Sequence, residues 1–153
     1  KYAPPLPHTG TFLDLGTGWG PLAIALALES PEATVWGTDV NERALEVATE
    51  NAGNLGLSHL SFAQPHEVPS ELRWDVIWSN PPIRVGKKEL HALLALWLPR
   101  LSPGGEAWLV VAKKLGSDSL QEWINQGGAG DFVASRHETS RGFRVIRVAR
   151  RSS

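Results

Sequence analysis

The stretch that decides how this chain is read is Asp14-Leu15-Gly16-Thr17-Gly18-Trp19-Gly20. The apolar run Thr11-Phe12-Leu13 precedes it, and Pro21-Leu22-Ala23-Ile24-Ala25-Leu26-Ala27-Leu28 follows. The pattern predicts a short strand, a glycine-rich turn and a helix, with Pro21 in the first helical turn, where a proline gives up no helical hydrogen bond. Such a turn brings backbone N–H groups and a helix N-terminus towards a ligand, with no Cβ in the way at Gly16 and Gly18. The plainer alternative is a strand-to-helix turn in which glycine only supplies positive φ.

Two features define the ligand. A dinucleotide turn has the spacing G-x-G-x-x-G, its third glycine packing helix on strand. Here the spacing is G-x-G-x-G, and Pro21 stands where that third glycine belongs. Asp14 closes the strand ahead of the glycines. A carboxylate there suits the ammonium of a methionine moiety and repels a pyrophosphate. S-adenosylmethionine (S-adenosyl-L-methionine) fits this turn better than a dinucleotide does.

The rest of the chain is consistent with one α/β domain. Thr34 to Asp39 predicts a second strand, with Asp39 at its end about 20 residues past the glycines, where a carboxylate accepts ribose hydroxyls. Asp39 can instead cap the next helix, although Asn41 is equally able to. Glu42 to Leu55 has helical apolar spacing, and Leu60 to Ala63 reads as a third strand. In the loop Gln64 to Pro69, His66 or Glu67 can meet an adenine or simply lie on the surface. Trp74 to Trp78 is apolar on both faces, as a central parallel strand is, and runs into Ser79-Asn80-Pro81-Pro82-Ile83-Arg84. A helix is predicted over Lys87 to Leu101, a turn at Ser102-Pro103-Gly104-Gly105 and a strand over Glu106 to Ala112. Ser117 to Gln126 predicts a helix with Asp118 and Gln121 at capping-box spacing. Phe132 to Glu138 and Phe143 to Arg150 predict an antiparallel hairpin around Arg141-Gly142. The fold class is therefore α/β: a doubly wound, mostly parallel, seven-stranded Rossmann-like sheet ending in a C-terminal antiparallel hairpin. Residues 1–10 form a proline-rich irregular lead-in, and residues 11–153 one domain.

Composition excludes several classes. A hydrophobic share of 42% and a charged share of 20% are those of a globular domain. No apolar run reaches the roughly 18 residues of a membrane span. The first residues lack the apolar centre of a signal peptide, so a cytoplasmic location is expected. The absence of cysteine excludes disulfides and thiolate metal sites, and the five histidines show no H-x-x-x-H spacing, so no metal is expected. The net charge of −1 conceals an asymmetry. Residues 1–80 hold three Lys or Arg against ten acids, a net −7, and residues 81–153 hold twelve against six, a net +6. A basic second half is either an electrostatic footprint for nucleic acid or a set of scattered solvated faces. The candidates for facing a polynucleotide are Arg84, Lys87, Lys88, Lys113 and Lys114, then Arg136, Arg141, Arg144, Arg147, Arg150 and Arg151 on the hairpin.

Asn80-Pro81-Pro82-Ile83 suggests a chemistry. An exocyclic amine on a planar base or amide is a poor nucleophile because its lone pair is delocalised. The Asn80 carboxamide oxygen and the Pro81 carbonyl can each accept one of its N–H groups, fixing the nitrogen and favouring the pyramidal form. Prolines stiffen the turn that aims the two acceptors, so positioning supplies much of the catalysis. No strong general base is needed, since the proton leaves after positive charge has developed. Read in isolation, Asn-Pro-Pro merely ends a strand.

Together, Asp14 to Gly20, Asp39 and Asn80 to Ile83 resemble the class I S-adenosylmethionine-dependent methyltransferases that methylate amines. More narrowly, Ser79 to Lys87, Pro103-Gly104-Gly105, Lys113-Lys114 and Gly142-Phe143-Arg144-Val145 resemble the small-domain family that includes ribosomal RNA guanine-N2 methyltransferases. The resemblance implies a cofactor-binding set of Asp14, Gly16, Thr17, Gly18, Gly20, Asp39, Val40 and His66. It implies Asn80, Pro81 and Pro82 as the catalytic set and Ile83, Arg84, Lys87 and Lys114 as contacts to an RNA substrate, with the oligomeric state left open. The chain departs from the family at three points. Ile83 replaces the aromatic that many relatives stack on the target base, leaving Trp19 or Phe143 for that role. His66 stands where relatives carry an acid near the adenine. Relatives also have a segment before the first strand that closes over the cofactor, and the ten residues here suggest a shortened fragment or a degenerate copy. Three functions follow: an RNA guanine-N2 methyltransferase; an enzyme acting on adenine N6 or a protein glutamine amide; or a non-catalytic binding module of the same fold.

Overall fold

The structure is a computed structural model, which describes residues 6–80, 86–113, 116–140 and 142–151. Its elements are β1 (Thr11–Leu15), α1 (Pro21–Glu29), β2 (Thr34–Thr38), α2 (Glu42–Asn54), β3 (Leu60–Ala63), β4 (Trp74–Ser79), α3 (Lys87–Trp97), β5 (Leu101–Ala112), α4 (Ser117–Asn125), β6 (Phe132–Ser140) and β7 (Phe143–Arg150). Short 3₁₀ turns lie at Pro65–Glu67 and Leu98–Arg100. The strands form one seven-stranded mixed sheet in the order β3-β2-β1-β4-β5-β7-β6. The chain gathers into two compact units that divide between Trp78 and Ser79.

In the first unit, β1 and β2 run parallel with Asp14 opposite Gly37 and Leu15 opposite Thr38. β2 and β3 are also parallel, with Gly37 opposite Phe62. Phe12, Leu13, Ala23, Ala27, Val35, Ala48, Trp74 and Ile77 are fully buried among these elements. The end of β1 is a run of glycines, so α1 begins on Gly20 at φ +94 with no side-chain cap, and Pro21 occupies its first position. Asn41 caps α2 by accepting from the Ala44 N–H at 3.1 Å, as the sequence suggests. Gly37 interrupts a strand because nothing larger fits. A Cβ there would lie 2.7 Å from the Phe62 ring and 2.7 Å from the Thr17 hydroxyl.

In the second unit, β7 lies between β5 and β6 and is antiparallel to both, with Ala112 opposite Phe143 and Phe132 opposite Arg150. Leu94, Leu98, Ile124 and Ile146 are fully buried, and Trp97, Leu101, Leu109 and Phe132 are each only 1% exposed.

Three local expectations are corrected here. The helix predicted to reach Leu101 stops at Trp97, because Pro99 has no N–H for the next i→i−4 bond and the chain tightens into a 3₁₀ turn. The turn predicted at Ser102-Pro103-Gly104-Gly105 lies inside β5. Pro103 is exposed and takes no donor from the β5–β7 ladder, which begins at Glu106, and Gly104 absorbs the local bend at φ +82. The capping box at Asp118 does not form. Gly116 at φ +80 starts α4, and the Asp118 carboxylate instead pairs with the guanidinium of Arg144, whose side chain is 6% exposed. A buried guanidinium without a counter-ion is far more costly than a lost cap.

Gly37→Ala is expected to destabilise the protein by about 1–3 kcal/mol through overpacking against Phe62 and Thr17. Urea unfolding should show a lower midpoint with an unchanged slope, and an unchanged midpoint would mean that this contact relaxes freely.

Candidate active site

The glycine turn at the end of β1 is folded onto the end of β2. The N–H groups of Gly16 and Thr17 both donate to the Thr38 carbonyl, at 2.9 and 2.8 Å. Gly18 N–H donates to Asp39 Oδ2 at 2.8 Å, and Gly20 N–H donates to the Thr17 carbonyl at 3.0 Å. All four of these N–H groups are thus spent inside the protein. A pyrophosphate laid against the turn would find none of them, in contrast to the loops that cradle phosphates. Gly16 at φ +81 and Gly18 at φ +58 face open space among the described residues, with no atom of these within 4 Å of where their Cβ atoms would be.

Asp14 lies under the turn, 3% exposed, and accepts the Thr17 hydroxyl at 2.7 Å. Burial pushes its carboxyl up from 3.8 to about 6. The hydrogen bonds from Thr17 and from the Ala23 backbone work against that rise, and the nearby charge of Asp39 adds to it. Asp39 follows β2 and is half-buried, its other oxygen accepting from the Asn41 N–H at 3.0 Å. Each of its oxygens keeps a lone pair for a ligand hydroxyl. The turn therefore brings together Asp14, Gly16, Thr17, Gly18, Gly20 and Asp39.

The remaining expected contacts stand further out. Val40 is 79% exposed, with its carbonyl held by Gln64 Nε2 at 3.2 Å. His66 is exposed on the 3₁₀ turn. Glu67 is used locally, accepting from the Gln64 N–H at 2.8 Å. Trp19 is 58% exposed in the turn itself, and Phe143 is 42% exposed on β7.

In the second unit, Asn80 is exposed and follows directly on Ser79, the buried last residue of β4. Pro81, Pro82, Ile83 and Arg84 lie outside the described residues, as do Lys114 and Arg141. Lys87 and Lys88 are exposed in the first turn of α3, and Lys113 is exposed beyond β5.

The described hairpin arginines all have acceptors within the protein, although Arg136, Arg147 and Arg151 keep exposed side chains. Arg144 is buried against Asp118, with Arg136 3.9 Å from the same carboxylate. Arg147 pairs with Glu106. Arg150 donates to the carbonyls of Pro99 and Leu101 at 2.9 and 2.7 Å and lies over the Phe132 ring. Arg151 binds Asp131 at 3.1 Å and the Asn125 carbonyl at 3.0 Å. These guanidiniums satisfy the fold's own acceptors.

The sequence reading missed Thr38, whose carbonyl fixes two turn N–H groups, and Phe62, which sets the height of the turn. An isolated glycine within a strand, here Gly37, is a signal of close approach by some neighbour, though it does not say which. Among the described residues, no group of three His, Asp or Glu is placed to hold a metal ion, and no helix is long and apolar enough to cross a membrane.

Sheet order, antiparallel C-terminal strands and glycine turn define the fold of S-adenosylmethionine-dependent methyltransferases. The chain belongs to the methyltransferase small domain family, whose model matches residues 3–139. It is 38% identical over 120 residues to the uncharacterized protein YbxB of Bacillus subtilis, covering 76% of this chain and 60% of that one. It is 46% identical over 90 residues to a release factor glutamine methyltransferase of Neisseria gonorrhoeae, covering 56% of this chain and 33% of the relative. The chain thus spans less than two thirds of both relatives. A T. thermophilus 16S rRNA N2 methyltransferase (RsmC), solved with AdoMet and guanosine, superposes with a TM-score of 0.76 at 23% identity. That match covers 93% of this chain and 38% of the other.

Because the native state holds the Asp14 proton more tightly than the unfolded chain, stability should fall as pH rises from about 4 to about 6 and level off above, by roughly 3 kcal/mol in all. Asp14→Asn is therefore expected to be more stable than wild type at pH 7.5 but not at pH 3.5. Urea unfolding at the two pH values checks this, and an equal gain at both would show that Asp14 titration is not its source.

Proposed function

We propose that the chain is an S-adenosylmethionine-dependent N-methyltransferase acting on an exocyclic amine of a base in RNA, most specifically guanine N2 of ribosomal RNA. Residues 11–153 would form its methyltransferase domain, and a cytoplasmic location belongs to the same proposal. The observation that carries the reading is the glycine turn. It has a buried carboxylate, no spare N–H for a phosphate among Gly16, Thr17, Gly18 and Gly20, and, among the described residues, open space over two glycines.

The residues present fit the cofactor. Asp14 suits its ammonium and the free lone pairs of Asp39 suit the ribose hydroxyls, and this reading assigns the adenine to the neighbourhood of Val40 and His66. When bound, S-adenosylmethionine supplies a methyl group on a sulfonium. Asn80 Oδ1 and the Pro81 carbonyl then hold the two hydrogens of the target amine, and Pro82 stiffens the turn. Holding both hydrogens would keep the nitrogen lone pair directed away from the acceptors, free to take up the methyl group as its bond to sulfur breaks and a neutral thioether leaves. No side chain must remove a proton beforehand, because the amine proton becomes acidic only as the new C–N bond forms.

RNA is supported by the run from Ser79 to Lys87, with Ile83 in place of an aromatic, and by the exposed Lys87, Lys88 and Lys113. Arg84 and Lys114 would add phosphate contacts. Unstacked RNA bases offer their amine edges to such a site. A second reading, a protein glutamine amide, is favoured by the release factor relative and by the internal pairing of the hairpin arginines. A carboxamide presents the same planar NH2.

Incubation with labelled S-adenosylmethionine and RNA, followed by nucleoside analysis, should recover N2-methylguanosine. Label on adenine N6, or on a glutamine of an added release factor, overturns the guanine assignment. Asn80→Ala should lower turnover at least about a hundredfold while leaving cofactor affinity within a few-fold, as a lost positioning acceptor does. Asp39→Ala should weaken cofactor binding by about 1–3 kcal/mol in calorimetry, because ligand hydroxyls lose a charged acceptor.

A further inference from the structure

Thr17 lies in the glycine turn, yet it is only 5% exposed. Its N–H is held by the Thr38 carbonyl at 2.8 Å, and its hydroxyl donates to Asp14 Oδ2 at 2.7 Å. A hydroxyl has one proton to give, and here it is given to the carboxylate. Space for that hydroxyl is made by Gly37, where a Cβ would approach the Thr17 oxygen to 2.7 Å. Both the backbone and the side chain of Thr17 are therefore set by β2, and its hydroxyl faces the carboxylate.

We propose that Thr17 is a positioning residue, whose hydroxyl holds Asp14 Oδ2 and so fixes the carboxylate that meets a cationic ammonium, without itself touching the ligand. The inference rests on the cofactor reading only for the identity of that ammonium. Burial drives Asp14 towards its neutral form, and the charge of Asp39 from the end of β2 pushes the same way. Opposing them are the Thr17 hydroxyl and the Ala23 N–H from α1. A carboxyl already raised to about 6 has little margin at neutral pH. Removal of the side-chain donor costs part of the charge that attracts a cation, as well as the orientation of the group that carries it.

The test uses the full chain with Thr17→Val, Thr17→Ala and Thr17→Ser, with circular dichroism reporting the fold. Thr17→Ala provides the hydroxyl deletion if Thr17→Val does not fold. Carbon-13 NMR titration of the Asp14 carboxyl, without ligand, should place its midpoint above the wild-type value in the two variants lacking a hydroxyl and near wild type in Thr17→Ser. Calorimetry with S-adenosylmethionine should show the acid limb of binding displaced upward by about one pH unit in Thr17→Val or Thr17→Ala. That is about tenfold weaker binding below pH 6 and a loss of no more than a few-fold at pH 8.5. An Asp14 midpoint at or below wild type in the hydroxyl-free variants overturns the proposal, as does an equal loss of affinity at every pH. A wild-type chain that binds no S-adenosylmethionine would sink the functional reading instead, while the NMR titration still decides the role of Thr17.

Discussion

The ring of Phe62 occupies space that a Cβ on either Gly20 or Gly37 would need, at 2.9 Å from the first and 2.7 Å from the second. One side chain on β3 thereby presses the glycine turn and β2 together. The Ala48 methyl group of α2 closes the same space, 2.9 Å from the position of a Gly20 Cβ. With the turn held low, the N–H groups of Gly16 and Thr17 reach one carbonyl on Thr38. Gly20 therefore does the close packing that the third glycine does in a dinucleotide turn. It does so one residue earlier, which frees the next position for Pro21 to begin α1.

Formal charge proved a poor guide to the surface. Twelve Lys and Arg lie beyond residue 80, but the described hairpin arginines are matched to Asp118, Glu106, Asp131 and a set of backbone carbonyls. Arginine suits this internal work because its planar fork of donors satisfies several acceptors at once, whereas a lysine ammonium is more strongly hydrated. Among the described residues after Asn80, the exposed cations nearest to it in the sequence are the lysines at positions 87 and 88. A count of basic residues cannot separate the two kinds. The pairing partner of Arg144 lies 26 positions away, on a helix rather than on a neighbouring strand.

Features built from neighbours in the sequence were legible in it. β3 and β7 fall at their predicted residues because apolar alternation marks both, with Pro65 shortly after the first and Gly142 just before the second. Asn41 was readable as a cap, and Asp14, Gly16, Gly18 and Asp39 as neighbours, since each lies at or just past the end of a strand at a set spacing. Features decided by competition were not. The Asp118 side chain had a local use as a cap and a distant one as a counter-ion, and the buried charge of Arg144 determined the outcome. Ser102 to Gly105 has turn composition, but Pro103 is exposed and lies ahead of the β5–β7 ladder, so its missing N–H costs that ladder nothing and the stretch stays extended. Thr38 and Phe62 were invisible as site residues because their contributions, a carbonyl and a ring, carry no chemical signature of their own.

The electrostatics of the turn limit what can sit there. Two carboxylates, Asp14 and Asp39, stand close enough for the charge of Asp39 to bear on Asp14, which is buried. No Lys or Arg occurs between residues 2 and 42, so the segment that builds the turn supplies no cation to offset them. A buried carboxylate without a counter-ion is disfavoured, and its raised pKa measures that cost. A positively charged ligand removes the cost on binding, whereas a phosphate increases it. The same feature that strains the unliganded turn thus gives it a preference of sign, which spare N–H groups alone would have reversed.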